Sequence, residues 1–297
     1  MGISTRRFRA RMSQAETYAV FNGQIQPLEK VAISPSDRGF LYGDSLFETV
    51  RVHNGKPFRW EQHMTRINSG ADIIELRLPY SPDEFLGQTE KLIEQSANAD
   101  CIVRLTVARG VGERGYGFTG NELPNSLITI HPLPKPGGPP LTVVSTDARV
   151  ANDDPLARIK SGNKLGSILA KRLAKRAGAD DGLILNSDGN ITETSSANVF
   201  WIRDGTLRTT PVSDGVLPGV TRGLIIDLAS ALGQAVREES VSPAELQQAE
   251  TVFVTNAAAG IRAVGQVDGF ALPGHPLVGQ LVEAYAAELA RHADRAG

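Results

Sequence analysis

The chain has one cysteine, Cys101, so it cannot form an intrachain disulfide. Cys101 falls in the apolar run CIVRLTVAR, where a buried and inert thiol is expected. Dense basic runs are missing, and 31 Lys+Arg against 33 Asp+Glu leave a formal net charge of −2, which argues against a nucleic-acid surface. No apolar run approaches the ~20 residues of a membrane-spanning helix. The opening MGISTRRFRARMSQAET carries arginines but no apolar stretch behind them, so it does not read as a secretory signal. Residues 1–17 are expected to form an extension ahead of the fold. Internal repeats and low-complexity tracts are also missing. These absences point to a cytoplasmic globular protein with neither membrane nor nucleic acid as partner. The 297 residues, 41% hydrophobic and 22% charged, suffice for two sizeable cores.

What is present falls into two halves. YAVFNGQIQPLEKVAIS reads as a hairpin turning at Asn22-Gly23, and FLYGDSLFETVRVHNGKPF extends it into a meander with a second turn at Asn54-Gly55. Trp60–Leu76 is expected to be helical because Met64, Ile67, Ala71 and Ile74 recur every three or four residues. Ser81–Ser96 opens Ser-Pro-Asp-Glu, good chemistry for a helix start. Cys101–Arg109 and Ser126–His131 read as paired strands. The glycine-rich stretch between them, GVGERGYGFTGNELP, is too long for a hairpin turn and implies a functional or disordered loop. PLPKPGGPP, residues 132–140, is the clearest linker. It separates a small α+β domain, 18–131, from a larger domain, 141–297, with a β-rich core flanked by helices. The fold class is thus α/β in the broad sense (α+β), with two domains.

The stretch 158–222 carries the chemistry. Leu165, Ile168, Leu169, Leu173 and Ala177 recur at helical spacing, and Gly178 is placed to end that helix. GLIL at 182–185 reads as a strand, Asn186–Gly189 as a turn, and Asn190–Ile202 as a return strand with a Ser/Thr-rich interior. LPGVT at 217–221 turns into the helix 221–232, whose free amides and hydroxyls suit a phosphate. A strand at 248–255 and a closing helix at 276–290 complete the domain. Lys160 precedes a helix start, which disfavours a cation: it is either an amine of depressed pKa or an ordinary solvated lysine. Glu193 alone reads as a surface glutamate. Arg66, beside His63 on the 60–76 helix, is either a solvated or ion-paired side chain or a phosphate grip.

In combination, KSGNKL from Lys160, ETSSANVF from Glu193 and LPGVTR from Leu217 resemble the class IV (fold-type IV) pyridoxal-phosphate enzymes. That group includes D-amino-acid and branched-chain aminotransferases, amine transaminases of R selectivity, and aminodeoxychorismate lyases. The resemblance runs from about Phe21 to about Val264. It implies pyridoxal 5′-phosphate as cofactor, no metal, and Lys160 as the residue that forms an aldimine with the cofactor aldehyde and then moves the substrate Cα proton. It implies Glu193 as partner of the pyridine nitrogen, and Arg66, Val220 and Thr221 as phosphate ligands. Leu217 would lie on the ring face, with Ser195, Ser196, Asn198, Asn256 and Ala257 around it. It also implies a homodimer in which YGDSLFE or the 110–124 loop of one copy closes the site of the other.

Substrate residues are divided between subgroups. Tyr42 and the Phe47–Arg51 run echo branched-chain enzymes, although Asn163-Lys164 lacks the tyrosine that follows the asparagine there. The D-amino-acid enzymes pair an arginine with a histidine where this chain has Arg114 and Tyr116. The R-G-Y form, with Arg104 on the strand before it and Ala257 after Asn256, looks more like the lyases. Arg114 alternatively just solvates its loop. The resemblance therefore implies a transaminase moving an amino group between a small amino acid or amine and a 2-oxo acid. The lyase releasing pyruvate and 4-aminobenzoate is the alternative within the family, and a non-catalytic binding module the alternative outside it.

Overall fold

The computed structural model describes residues 17–135 and 137–295. The extension expected over 1–17 therefore lies outside the described residues except for Thr17, as does Pro136 of the linker. In chain order the first part comprises β1 (Tyr18–Phe21), β2 (Gln24–Pro27), α1 (Arg38–Tyr42), β3 (Ser45–His53), β4 (Lys56–Pro57), α2 (Trp60–Ile73), α3 (Pro82–Ser96), β5 (Cys101–Ala108) and β6 (Asn125–Pro132). The second comprises β7 (Leu141–Val150), α4 (Leu165–Arg176), β8 (Asp181–Asn186), β9 (Ile191–Thr194), β10 (Asn198–Arg203), β11 (Thr206–Thr209), α5 (Val220–Ala231), β12 (Val236–Glu238), α6 (Pro243–Leu246), β13 (Thr251–Asn256), β14 (Gly260–Val267), β15 (Phe270–Ala271) and α7 (Pro276–Arg295).

The strands of the first part form one antiparallel sheet in the order β2-β1-β6-β5-β3-β4. Helix α2 buries Met64, Ile67 and Ala71 against Leu46, Val50 and Val52 of β3, the row expected from the heptad-like spacing. It stops at Ile73, short of the expected Leu76, and Glu75 turns the chain with a positive φ. Helix α3 starts where its sequence says: Ser81 accepts from the Glu84 amide while the Glu84 side chain accepts from the Ser81 amide. A box of this kind stabilises a helix by about 1 kcal/mol.

The second part is a nine-stranded sheet, β12-β11-β10-β13-β14-β7-β8-β9, with β15 on β14. It curls until β9 meets β10 again at Glu193↔Asn198, so six strands close a ring. Val143, Leu183, Ile191, Val199, Trp201 and Val254 pack together in one core, and α5 and α7 cover Phe200 and Phe253 on the other face. The single return strand expected over 190–202 is in fact two strands, broken at Ser195–Ala197. Thr194 Oγ1 accepts from the Ala197 amide at 3.1 Å, a side-chain bond that competes with the ladder and turns the chain. Helix α4 forms where its spacing places it, and Gly178 follows it with a positive φ. Only Ala170 and Ala174 of this helix are buried, and the row Leu165, Ile168, Leu169 faces outward.

The two parts are stitched together beside Lys160. Phe47 N donates to Lys160 O at 2.9 Å and Gly162 N to Ser45 O at 2.7 Å, so the segment ahead of α4 runs along β3. A Cβ at Gly162 would stand 2.2 Å from Ser45 Oγ, which is why this position takes glycine.

Candidate active site

A cavity of about 440 Å³ opens between the two sheets, and the size suits a small-molecule cofactor site. Its lining draws on four walls. Strands β3 and β5 contribute Phe47, Thr49 and Arg104; helix α2 contributes His63 and Arg66. The segment leading into α4 brings Lys160, Lys164 and Ser167. The ring and its adjoining turns supply Glu193, Ser195 to Asn198, then Leu217 to Thr221 except Pro218, and Thr255 to Ala258. Every residue that the resemblance implies for the cofactor thus lines one cavity, together with Phe47 and Arg104.

The other expected substrate residues lie elsewhere. Arg51 donates to Ala258 O at 3.3 Å, behind the turn that carries Asn256 and Ala257. Tyr42 and Tyr116 meet edge to face at 5.5 Å on the outside of the chain, next to exposed Arg114. Their loop is organised by buried Arg38, which pairs with Asp44 at 3.0 Å and donates to the carbonyls of Glu113, Gly115, Tyr116 and Gly117.

Lys160 sits inside the cavity, with Nζ 4.8 Å from the Phe47 ring centroid. Burial lowers its amine from 10.5 to about 8; Arg66 and Lys164 push the same way, and Glu48 and Glu193 oppose them. Arg104 approaches the same ring at 3.8 Å, and among the described residues it has neither a carboxylate nor a carbonyl partner. Glu193 is held by the ring closure of β9 onto β10. Burial lifts its carboxyl to about 7, against the pull of Lys164, Lys160, the Leu217 backbone and Arg66. Asn198 donates to Leu217 O at 2.9 Å and lies 3.4 Å from Glu193 Oε2, which ties the 217–221 turn to the carboxylate.

At the opposite end, α5 begins at Gly219 with no side-chain cap, leaving its first amides available to an anion. A Cβ at Gly219 would fall 2.0 Å from Asn198 Oδ1, so a larger residue here would displace the amide that ties this turn to Glu193. Arg66 stands beside this helix start, donating to Pro218 O at 3.1 Å. Its guanidinium is gripped from behind by Glu48, at 2.8 and 2.6 Å, and Glu48 also meets His63 Nδ1 at 2.7 Å. Burial alone would raise the Glu48 carboxyl; Arg66 and then His63 overcome it and hold the group at about 2. Burial lowers His63 despite Glu48, so the neutral ring donates its Nδ1–H to the carboxylate.

Glu48 and His63, which brace Arg66 or meet its carboxylate partner, were not expected from the sequence as site residues. Two signals pointed to them. Glu48 is a charge at the core parity of β3, between Leu46 and Val50, where a carboxylate needs a partner. His63 precedes Arg66 by three residues and so shares its face of α2.

Similarity to known proteins places the chain in a family. Residues 45–267 match the family described as amino-transferase class IV. A D-alanine aminotransferase of Listeria monocytogenes is 31% identical over 282 residues, covering 91% of this chain and 95% of that protein. Among solved structures, one from Legionella pneumophila named for 4-amino-4-deoxychorismate lyase is 29% identical with a TM-score of 0.82, covering 88% of this chain and 97% of its own. The T.th. branched-chain amino acid aminotransferase, solved with pyridoxamine 5′-phosphate, is 25% identical with a TM-score of 0.87 over 93% and 95%. The mixed α+β architecture is that of the fold-type IV aminotransferases, and the chain belongs to the class IV amino-transferase family, whose members depend on pyridoxal phosphate.

Proposed function

We propose that this chain is a pyridoxal-phosphate transaminase that moves an amino group between a small amino acid or amine and a 2-oxo acid. The observation that carries the reading is the placing of two perturbed groups, the Lys160 amine and the Glu193 carboxyl, in one cavity whose far end is an anion cradle. The residues fit the cofactor. The Thr221 hydroxyl and the uncapped α5 amides, with Arg66, suit its phosphate. Thr255 Oγ1, buried at the cavity wall with no hydrogen-bond partner among the described residues, offers a further free donor. Glu193 suits a ring nitrogen that is to carry a proton, and Leu217 an apolar ring face. When bound, pyridoxal phosphate supplies an electron sink for the pair left at the substrate Cα.

The chain's own residues do the rest. Lys160 would hold the cofactor through Nζ, and the same amine, when free, would take the proton from the substrate Cα and deliver it to the cofactor rather than back to Cα. An amine poised near 8 suits both directions of transfer. Glu193, as a carboxylate, would favour a proton on the cofactor's ring nitrogen. Arg104, a guanidinium in the cavity with no carboxylate partner among the described residues, orients the substrate carboxylate, and the Phe47 ring beneath it restricts where the guanidinium sits.

The reading extends to a homodimer. Leu165 (80% exposed), Ile168 (59%), Phe40 (74%) and Tyr116 (87%) make an apolar face that a second copy would cover. The end of helix α1 and the segment before α4 adjoin where Gly43 abuts Asn163. Tyr42, Arg114 and Tyr116, outside this chain's cavity, would then serve the partner's.

Arg104 and the likeness to the Legionella structure also favour a second reading, the aminodeoxychorismate lyase, since a cyclic dianion needs additional cations. A panel of D- and L-amino acids, each given alone in a single half-reaction, separates the two. Formation of pyridoxamine phosphate with an amino acid supports the transaminase. Failure with every amino acid, together with pyruvate release from aminodeoxychorismate, supports the lyase instead.

A further inference from the structure

Lys164 is a second lysine in the cavity that the proposed chemistry does not use. It stands immediately before α4, and it lines both the main cavity and a smaller one of about 220 Å³ behind it. Glu193 and Ser167 line both as well, so Lys164 and Glu193 belong to the same partition. Among the described residues the Lys164 side chain has no ion pair within 4.0 Å and no hydrogen bond, which leaves its charge uncommitted. Burial lowers its amine, and Glu193 is the charge that raises it again.

Glu193 can serve a protonated ring nitrogen only while it is ionised, yet its surroundings favour the neutral acid. The groups facing it are few. From the segment before α4 come Lys164 and Lys160, from α2 Arg66, from β10 the Asn198 amide and from the 217–221 turn the Leu217 backbone. Two of the three cations are unsuited to a standing role. Arg66 is already matched by Glu48 at 2.6 Å. Lys160 must gain and lose a proton during turnover. Lys164 is also the charge that acts most strongly on Glu193, ahead of Lys160 and Arg66.

We propose that Lys164 is a positioning residue, whose uncommitted charge beside Glu193 in that partition draws Glu193 towards its carboxylate form. The inference rests on the cofactor reading for its purpose but not for its test. In cofactor-free protein, the Glu193 carboxyl is followed by its ¹³C shift against pH and assigned by the resonance that disappears in Glu193→Gln. Lys164→Met is expected to move the midpoint up by roughly 1 unit, the scale of losing a nearby opposite charge. Lys164→Arg should restore it, because the charge and not the shape is at issue. An unchanged midpoint in Lys164→Met would overturn the proposal. So would a midpoint raised equally in Lys164→Met and Lys164→Arg, since that is a packing effect. A second arm measures pyridoxal phosphate binding to the unaltered chain by dialysis: failure there would sink the proposed function while leaving the Glu193 titration to stand or fall by itself.

Discussion

Replacing Glu48 by alanine tests the site where its electrostatics are most concentrated. Glu48 is fully buried, and its carboxylate meets Arg66 twice and His63 once. Removing it leaves a guanidinium behind the phosphate end with only Pro218 O as partner. Breaking a buried pair from one side costs about 3–5 kcal/mol. An independent route gives the same scale: holding a carboxyl at about 2 against an ordinary 4.5 corresponds to roughly 3 kcal/mol. The sign of the pH dependence follows. The folded-state pKa is depressed, so the stabilisation is fully present above about pH 4.5 and is lost as pH falls towards 2. Urea unfolding, read by Trp60 and Trp201 fluorescence, should therefore show Glu48→Ala less stable by about 3–5 kcal/mol at pH 7, with the gap narrowing at pH 3. Glu48→Gln, which keeps the volume and one acceptor, should fall between. A Glu48→Ala protein within about 1 kcal/mol of the parent at pH 7, or a gap constant down to pH 3, would refute this account of the cluster.

Lys160→Ala should abolish turnover and the borohydride-reducible link between chain and cofactor; label still attached after reduction would direct attention to Lys164. In the parent chain, the rate of cofactor capture should rise with pH through about 8, because only the neutral amine attacks; a flat profile from pH 7 to 9 counts against the lowered Lys160. Glu193→Gln should cut turnover by orders of magnitude, several kcal/mol of preorganised electrostatics, while changing cofactor affinity far less; near-normal turnover would mean that another acid serves the ring. Arg104→Ala should raise KM for carboxylate substrates by the equivalent of about 1.5–3 kcal/mol and spare plain amines, whereas an equal loss on both would remove Arg104 from carboxylate recognition. Leu165→Glu with Ile168→Glu should yield monomers in sedimentation; an unchanged assembly would clear that face of α4 of any role in dimerisation.

Much of this was legible in the residues themselves, where local chemistry decides. Asn22-Gly23 supplies the positive φ of a tight hairpin, and Ser81 with Glu84 closes a capping box from its own neighbours. The order of KSGNKL, ETSSANVF and LPGVTR identified the family because those segments carry distinct chemical demands. Periodicity placed helix α4 but not its burial. It reports which face of a helix is apolar, not what that face meets, and here the alanines turn inward while Leu165 and Ile168 turn out. Partnership across the chain was invisible. Nothing in a linear string sets Glu48 against Arg66, because that depends on α2 folding back over β3. The closing of β9 onto β10 likewise places Glu193 in the cavity, and with it Lys164. The perturbed pKa values of Lys160 and Glu193 belong to the tertiary structure alone, since desolvation and neighbouring charge arise only when distant segments enclose them.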